Sequence, residues 1–125
     1  MSSSSNDWIV KAEADFNSAE WEMKAAPATI NFDAVVFHAQ QCIEKLLKAA
    51  LVARNISFQR THDLNVLANM MKQAEPTWIY DVVDLATVQP GAVLTRYPGY
   101  AAGQQEAEDA LLAGSRLRNG LLPFL

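Results

Sequence analysis

The sequence has few of the residues that most often build catalytic or metal-binding sites. Among its 125 residues there are one cysteine, Cys42, and two histidines, His38 and His62. A single thiol cannot form an internal disulfide, and neither histidine stands in a His-Glu-x-x-His or Glu-x-x-His pattern. No serine occupies a nucleophile elbow, and there is no glycine-rich phosphate loop. We therefore predict no metal, no cofactor and no catalytic residue.

Long hydrophobic runs are missing as well. Half of the residues are apolar, yet no stretch approaches the roughly 20 consecutive apolar residues that span a bilayer. The first residues, MSSSSNDW, lack the basic and then apolar segments of a signal peptide. We therefore expect a cytoplasmic protein without membrane association. Residues 1–6 are predicted to be a flexible tail, and residues 7–125 a single domain.

Positive charge is scarce in most of the chain. The net charge of −4 argues against a protein that binds nucleic acid through bulk positive charge, although it leaves nucleic acid open as a partner. Acidic residues dominate 7–33 and 75–109, and a basic interval lies between them: Lys45, Lys48, Arg54 and Arg60. Either neighbouring helices pair their acidic and basic faces, or the basic interval is an anion site or a patch for an acidic partner.

Apolar residues are abundant, and they recur at intervals of three and four, which is the period of an α-helix. Five helical segments are predicted: one ending at AAPAT, one over 31–55, one after Asp63, one from Pro76 to the QPG at 89–91, and one from about Gln104. Asn31 or Asp33 can cap the second helix, and Asn55 suits its end. The predicted fold is all-α, an antiparallel up-and-down helical bundle of four longer helices plus one short helix.

The first helix carries two apolar stripes. The first stripe comprises Ile9, Ala12, Phe16, Ala19 and Met23, and the second comprises Val10, Ala14 and Trp21. A helix with two apolar stripes can bury one in its own bundle and the other against a second chain. The pattern therefore predicts two buried faces and a homodimer.

The stretch TRYPGY, residues 95–100, contains candidate ligand-binding residues. Pro98 and Gly99 are explained as a helix break and a turn, but a turn requires neither Arg96 nor Tyr97. A guanidinium beside an aromatic ring can hold a phosphate or carboxylate while the ring stacks on a base or a neighbour. Alternatively, Arg96 pairs with an acid of the first or second helix, and Tyr97 packs within the bundle.

The stretch RTHDL, residues 60–64, is a second candidate site. Thr61 or Asp63 can cap the third helix, and a helix N-terminus offers unpaired N–H groups that attract anions. With Arg60 and His62 at the same end, an anion pocket is predicted there. Capping alone also explains Thr61 and Asp63. If RTHDL and TRYPGY meet at one end of the bundle, they share a single pocket.

Three polar residues of the second helix complete the candidates. Lys45 and Lys48 can also contact an anion, but Glu44 lies four residues before Lys48 and can form a helix-surface pair with it. His38 lies on the polar flank of this helix, one turn before Gln41. It is interpreted as a solvated or half-buried histidine that is hydrogen-bonded to a neighbour.

Three sequence motifs follow one another along the chain: FHAQQCIEKLLKAALVARN, RTHDLNVLANMM and TRYPGY. Together they resemble the HEPN domain family, a family with presumed nucleotide binding, over nearly the whole chain from about Trp8. The resemblance implies an all-α up-and-down bundle that commonly dimerises and is often encoded beside a minimal nucleotidyltransferase. In such pairs the HEPN protein is thought to act as a substrate-binding or toxin partner.

Many HEPN proteins are metal-independent ribonucleases with an arginine, four to six intervening residues and a histidine. This sequence departs from that pattern. One residue separates Arg60 from His62, seven separate Arg54 from His62, and no histidine follows Arg116 or Arg118. Metal-independent cleavage needs a group of near-neutral pKa to move the proton. The resemblance therefore does not predict ribonuclease activity.

Three functional hypotheses follow. The first is a non-catalytic HEPN-type binding module that binds a nucleotide or a nucleotidyltransferase in a two-gene, toxin–antitoxin-like system. Its ligand-binding residues are Arg96, Tyr97, Arg60 and His62, with Lys45 and Lys48 as weaker candidates. The alternatives are a partner-dependent ribonuclease or toxin with a degenerate active site, and a purely structural oligomerisation or antitoxin protein.

Overall fold

The computed structural model describes residues 4–125, in which there is no β-strand. Its helices are α1 (Ser5–Met23), α2 (Phe32–Ala53), α3 (Leu64–Ala74), α4 (Val82–Val88), α5 (Gly91–Leu94) and α6 (Gln104–Leu121). Two short 3₁₀ turns cover Pro27–Thr29 and Leu122–Phe124. The predicted all-α class is confirmed. No helix in this part of the chain is long and apolar enough to cross a membrane.

Polar side chains determine where the helices begin. Ser4 and Asp7 form a reciprocal capping box, so α1 includes Ser5 and Asn6, which the sequence placed in the tail; residues 1–3 lie outside the described residues. Asn31 caps α2 by accepting the Ala34 N–H at 3.0 Å, as predicted. Three further features agree with their residue types: Asp63 caps α3, Asp81 caps α4, and Asn55 has a φ of 57° just after α2.

The fourth helix begins later than the sequence predicted. It was expected to start at Pro76, whereas residues 76–81 are not helical and α4 starts at Val82. The ammonium group of Lys72 donates hydrogen bonds to the backbone carbonyls of Pro76 and Trp78. In a helix starting at Pro76, these carbonyls would instead accept hydrogen bonds from backbone N–H groups. Asp81 then accepts the Val83 N–H at 2.8 Å and opens the helix there.

Helix α2 lies at the centre of the bundle, in contact with α1, α3, α5 and α6. Its antiparallel register with α1 is given by three contacts: Lys48 with Trp8, Lys45 and His38 with Asp15, and Asn31 with Glu22. Helix α6 is antiparallel to α1, because Arg118 near the end of α6 bonds Glu13 in the middle of α1, whereas Glu108 and Leu111 near its start line a hollow with Glu20 and Met23 at the end of α1. It therefore runs in the same direction as α2.

The connection between α2 and α3 runs back along α2. Three contacts follow it in order: Ile56 with Leu51, Phe58 with Lys48, and His62 with Glu44. This return brings the start of α3 beside the middle of α2. An ion pair of 3.4 Å between Arg54 and Glu75 then joins the ends of the two helices.

The core is built from the inner face of α2. It contains Ile43, Leu46, Leu47 and Leu51, packed against Phe16, Leu64, Leu67, Met71, Trp78, Leu85, Leu117 and Leu121. Cys42 is also fully buried, and burial raises the pKa of its thiol to about 12. The thiol therefore behaves as a small apolar group, as the sequence indicated.

Candidate functional site

A shallow open cleft of about 390 Å³ lies where the start of α2 meets the segment after α5. It is lined by Asn31, Asp33, Ala34, Phe37, His38, Thr95 and Arg96. The guanidinium carbon of Arg96 lies 5.8 Å from the ring centroid of Phe37. Since no ion pair involves Arg96 in residues 4–125, its charge stays available beside an aromatic face.

The N-terminus of α2 adds to the positive potential of this cleft. A helix of 22 residues carries a partial positive charge at its first turn. One acid, Asp33, also lies at the cleft, but its Oδ1 atom accepts the Ala102 N–H at 2.7 Å. The cleft thus combines a free guanidinium and a helix N-terminus with one carboxylate that is already hydrogen-bonded.

Gly91 allows the segment that carries Arg96 to approach α2 closely. A Cβ atom at this position would lie 2.5 Å from the Val36 carbonyl oxygen and 3.1 Å from the Gln40 Cβ. Thr95 braces the same short helix, because its hydroxyl donates to the Gly91 carbonyl at 2.7 Å. The short distance between Arg96 and Phe37 therefore depends on glycine, which has no side chain, at position 91.

We expect Gly91→Ala to cost about 1–3 kcal/mol of stability, because the added methyl group meets backbone of α2 and α5 must move away. The matched control is Gly120→Ala. A Cβ there would lie 3.9 Å from its nearest neighbour, the Ile79 carbonyl oxygen, so we expect no loss, or a gain of up to about 1 kcal/mol in helix propensity. Urea unfolding measures both. Equal effects of the two substitutions would contradict the close approach at Gly91.

His38 is held at the edge of the cleft by a carboxylate of α1. Its Nδ1 atom lies 2.7 Å from Asp15 Oδ1, and the Lys45 ammonium lies 2.6 Å from Asp15 Oδ2. The Asp15 side chain is 11% exposed, whereas that of His38 is 30% exposed. His38 is thus the half-buried, hydrogen-bonded histidine that the sequence indicated. Asp15 has no motif that points to it.

A second polar cluster surrounds Glu44, whose side chain is 3% exposed. Its carboxylate contacts four side chains: Gln40, Gln41, Lys48 and His62. Gln40 also donates to the His62 carbonyl at 3.1 Å, which ties the connection to α2. Sequence reasoning treated Glu44 only as a surface partner of Lys48. The two glutamines one turn earlier, Gln40 and Gln41, are the feature of the sequence that could have indicated a polar cluster around Glu44.

The two lysine candidates are engaged in ion pairs. Lys48 and Glu44 form the predicted pair at 3.1 Å, but it lies in the interior, since the Lys48 side chain is 7% exposed. The Lys48 ammonium lies 5.3 Å from the ring centroid of Trp8. Lys45 is bound to Asp15 and 22% exposed. Of the two lysines, Lys45 has the more exposed side chain and is the one that a ligand in solvent could contact.

The start of α3 is not an open anion pocket. Gln89 Oε1 accepts the Leu64 N–H at 2.8 Å, and Asp63 Oδ1 accepts the Asn65 N–H at 2.9 Å. Gln89 also donates to Asp63 at 2.7 Å. Two of the N–H groups that the RTHDL prediction offered to a ligand, those of Leu64 and Asn65, are therefore occupied by side chains of the protein, in agreement with the capping interpretation.

The structure does not place TRYPGY and RTHDL in one pocket. Arg96 lies against Phe37, whereas His62 bonds Glu44, seven residues and about 10 Å further along α2. Arg60 is exposed in the connection before α3 and makes no ion pair in residues 4–125. Tyr97 is 59% exposed, so it does not pack in the core.

Three other arginines pair with acidic residues of neighbouring parts of the bundle. Arg54 pairs with Glu75, Arg116 with Asp84, and Arg118 with Glu13. The hydrogen bonds that Arg116 donates to Asp84 hold its guanidinium against α4. They also raise the pKa of Arg116. Pairing between helices therefore accounts for part of the uneven charge along the chain.

The chain has relatives among known proteins. The family model of the HEPN domain matches residues 5–120. A protein of Methanocaldococcus jannaschii named "Putative toxin MJ1304" is 30% identical over 97 residues, which is 73% of this chain and 61% of the relative. The chain thus spans less than two thirds of that relative's length.

Two solved structures are similar to this fold. The crystal structure of TT1696 from Thermus thermophilus matches with a TM-score of 0.79 at 21% identity, over 97% of this chain and 98% of that chain. ST0689, an archaeal HEPN homologue, matches with a TM-score of 0.66 at 21% identity, over 96% of each chain. At this identity the likeness concerns the fold alone. Because the family model spans nearly the whole chain, the protein belongs to the HEPN domain family.

Proposed function

We propose that the protein is a non-catalytic HEPN binding module that accepts the phosphate of a nucleotide at the Arg96 cleft. The observation that carries the proposal is the guanidinium of Arg96, which has no acidic partner in residues 4–125 and lies over the ring of Phe37. Most other arginines of the bundle are bound to carboxylates. A free guanidinium at a surface cleft is suited to bind a phosphate bidentately.

Three neighbours define how the nucleotide would lie. The first turn of α2 contributes its partial positive charge to the phosphate. His38 lies beside Phe37 in a T-shaped arrangement, with the two centroids 5.4 Å apart and the ring planes at 70°, so one of the two rings can stack on a base or a ribose. Tyr97 is exposed and next to Arg96, so it can close over a ligand from the side of the turn.

The biological setting is part of the proposal. We place the protein in a two-gene, toxin–antitoxin-like system with a minimal nucleotidyltransferase as its partner. The toxin name of the Methanocaldococcus jannaschii relative supports this setting. In such a pair, the nucleotide at the Arg96 cleft would be bound where the partner enzyme can reach it.

Titration calorimetry at low salt tests the ligand-binding half of the proposal, with AMP, ATP and inorganic phosphate as probes. We expect Arg96→Ala to weaken nucleotide binding about tenfold or more, since a charge-assisted hydrogen bond contributes about 1.5–3 kcal/mol. The matched control is Arg60→Ala, which removes an exposed arginine outside the cleft and should leave binding nearly unchanged. Equal weakening by both substitutions, or no binding to the unsubstituted protein, would contradict the site.

A second candidate function, a partner-dependent ribonuclease, is favoured by the two carboxylate–histidine pairs. Asp15 and Glu44 each hold a histidine through Nδ1, at 2.7 and 2.9 Å. The side chains of His38 and His62 are 30% and 50% exposed. A carboxylate on one imidazole nitrogen orients the ring and leaves Nε2 to move a proton. RNA cleavage in the presence of the partner, abolished by His38→Ala or His62→Ala, would support this function, and no cleavage would exclude it.

A further inference from the structure

An acid and a base line the Arg96 cleft without pairing. Asp33 and Arg96 both line it, yet neither takes part in an ion pair within residues 4–125. Opposite charges that meet at a protein surface attract each other. Because these two stay apart, each presents its own polar group to whatever enters the cleft. The cleft therefore offers a cation and, separately from it, a hydrogen-bond acceptor.

The two oxygens of the Asp33 carboxylate have different surroundings. The Oδ1 atom accepts the Ala102 N–H at 2.7 Å, which holds the carboxylate in place and ties the segment after α5 to the first turn of α2. The Oδ2 atom accepts no hydrogen bond within residues 4–125 and reaches solvent. An acid in a first turn also suits the helix dipole, but neither role uses Oδ2. That oxygen is free to accept a hydrogen bond from a ligand.

We propose that Asp33 determines the specificity of the cleft by accepting a hydrogen bond from a ribose hydroxyl of the ligand. The inference rests on the proposed function, in which Arg96 holds the phosphate. In a nucleoside 5′-monophosphate, one ribose carries both the phosphate and the 2′- and 3′-hydroxyls, so Arg96 and Asp33 can contact the two ends of the same sugar. Acidic side chains hold ribose hydroxyls in this way in dinucleotide-binding folds. The cleft should therefore select ribonucleotides over deoxyribonucleotides.

The charges of the cleft favour a single phosphate. Among the described residues that line it, Arg96 is the one lysine or arginine. His38 is bound to Asp15, whose other oxygen holds Lys45. A triphosphate would bring further negative charges close to the Asp33 carboxylate without a second free cation to balance them. The ligand class is therefore a ribonucleoside monophosphate, and we expect ATP without magnesium to bind no more tightly than AMP.

The substitution Asp33→Asn separates recognition from structure. The amide oxygen of asparagine can still accept the Ala102 N–H, so the segment stays tied to α2. The atom that faces the ligand becomes a neutral N–H donor, and the charge-assisted hydrogen bond from the hydroxyl is lost. Since the substitution also removes a negative charge near the phosphate, inorganic phosphate should bind at least as tightly as before. A purely structural role of Asp33 would leave the ribose preference unchanged.

Titration calorimetry at low salt with AMP, 2′-deoxy-AMP and 3′-deoxy-AMP tests the inference. We expect AMP to bind about tenfold more tightly than the weaker of the two deoxy analogues, because the analogue lacks a hydrogen bond to a charged acceptor. In Asp33→Asn this preference should fall to about twofold or less, with an unchanged circular dichroism spectrum. The matched control is Asp109→Asn, which neutralises an exposed acid of α6 that does not line the cleft. It should keep the tenfold preference.

The outcomes distinguish this inference from the proposed function. Equal binding of AMP and both deoxy analogues, with binding still dependent on Arg96, would overturn the role of Asp33 and leave the phosphate site intact. A preference for AMP that persists in Asp33→Asn would assign the hydroxyl contact to another residue and would also overturn that role. Tighter binding of ATP than of AMP would overturn the single-phosphate ligand class. Absence of AMP binding would overturn the proposed function together with this inference.

Discussion

Asp15→Ala is expected to destabilise the domain by about 3 kcal/mol, because it leaves the Lys45 ammonium and the His38 ring without the carboxylate that holds them. Asp15 lies at 2.6 Å from Lys45 and 2.7 Å from His38, and its side chain is 11% exposed. These contacts join the middle of α1 to α2. Loss of the carboxylate would also free the His38 ring at the edge of the Arg96 cleft, so weaker nucleotide binding should accompany the loss of stability.

Urea unfolding measures the effect, and Glu20→Ala is the matched control. Glu20 is an exposed acid on the same helix and makes no ion pair in residues 4–125, so its loss should change stability by no more than about 0.5 kcal/mol. A cost below about 1 kcal/mol for Asp15→Ala would show that water replaces the carboxylate at Lys45 and His38.

Trp78→Ala is expected to have the largest effect of the substitutions considered, a loss of about 4 kcal/mol. Trp78 is 1% exposed and is the largest fully buried side chain in residues 4–125. Its ring stacks on Tyr80, with centroids 4.5 Å apart and an interplanar angle of 24°. It anchors the non-helical segment between α3 and α4, so its removal leaves a cavity that the surrounding helices cannot close. For a domain stabilised by about 5–15 kcal/mol in total, such a loss is severe.

Trp78→Phe provides the contrast. The indole Nε1 is buried and has no hydrogen-bond partner in residues 4–125, so phenylalanine removes an unsatisfied donor while it keeps an aromatic face for Tyr80. We expect Trp78→Phe to lower the free energy of unfolding by at most about half as much as Trp78→Ala does. Chemical denaturation monitored by far-ultraviolet circular dichroism compares the two. A larger loss for phenylalanine than for alanine would mean that Nε1 is bonded after all, for example to water.

Several local features could be predicted because they depend on residues close in the chain. Asn31 and Asp63 cap their helices as their types and positions indicated, and Asn55 takes the left-handed conformation that ends α2. The pair between Glu44 and Lys48 follows from their spacing of four. The start of α4 was misplaced because Lys72 binds the carbonyls of residues 76 and 78, a contact that no local rule shows.

The candidate site could be predicted only in part. Arg96 was singled out because a turn does not need it, and it does line a cleft. The pocket predicted at RTHDL is closed by Gln89, which lies 25 residues after the Leu64 N–H that it binds. Asp15, which orients His38, carries no recognisable motif. It lies 23 residues before His38, so only the packing of α1 on α2 reveals its role.

The sequence by itself determined most of the helical segments, the caps of α2 and α3 and the family, because these follow from periodicity, short-range hydrogen bonds and matching phrases. The tertiary structure decided which charges are free. Arg54, Arg116 and Arg118 could not be told from Arg60 and Arg96 by their neighbours in the chain. Their ion pairs join residues 21 to 105 positions apart, so the packing of the helices determines them. The same packing buries one stripe of α1 and leaves Trp21 exposed on the other.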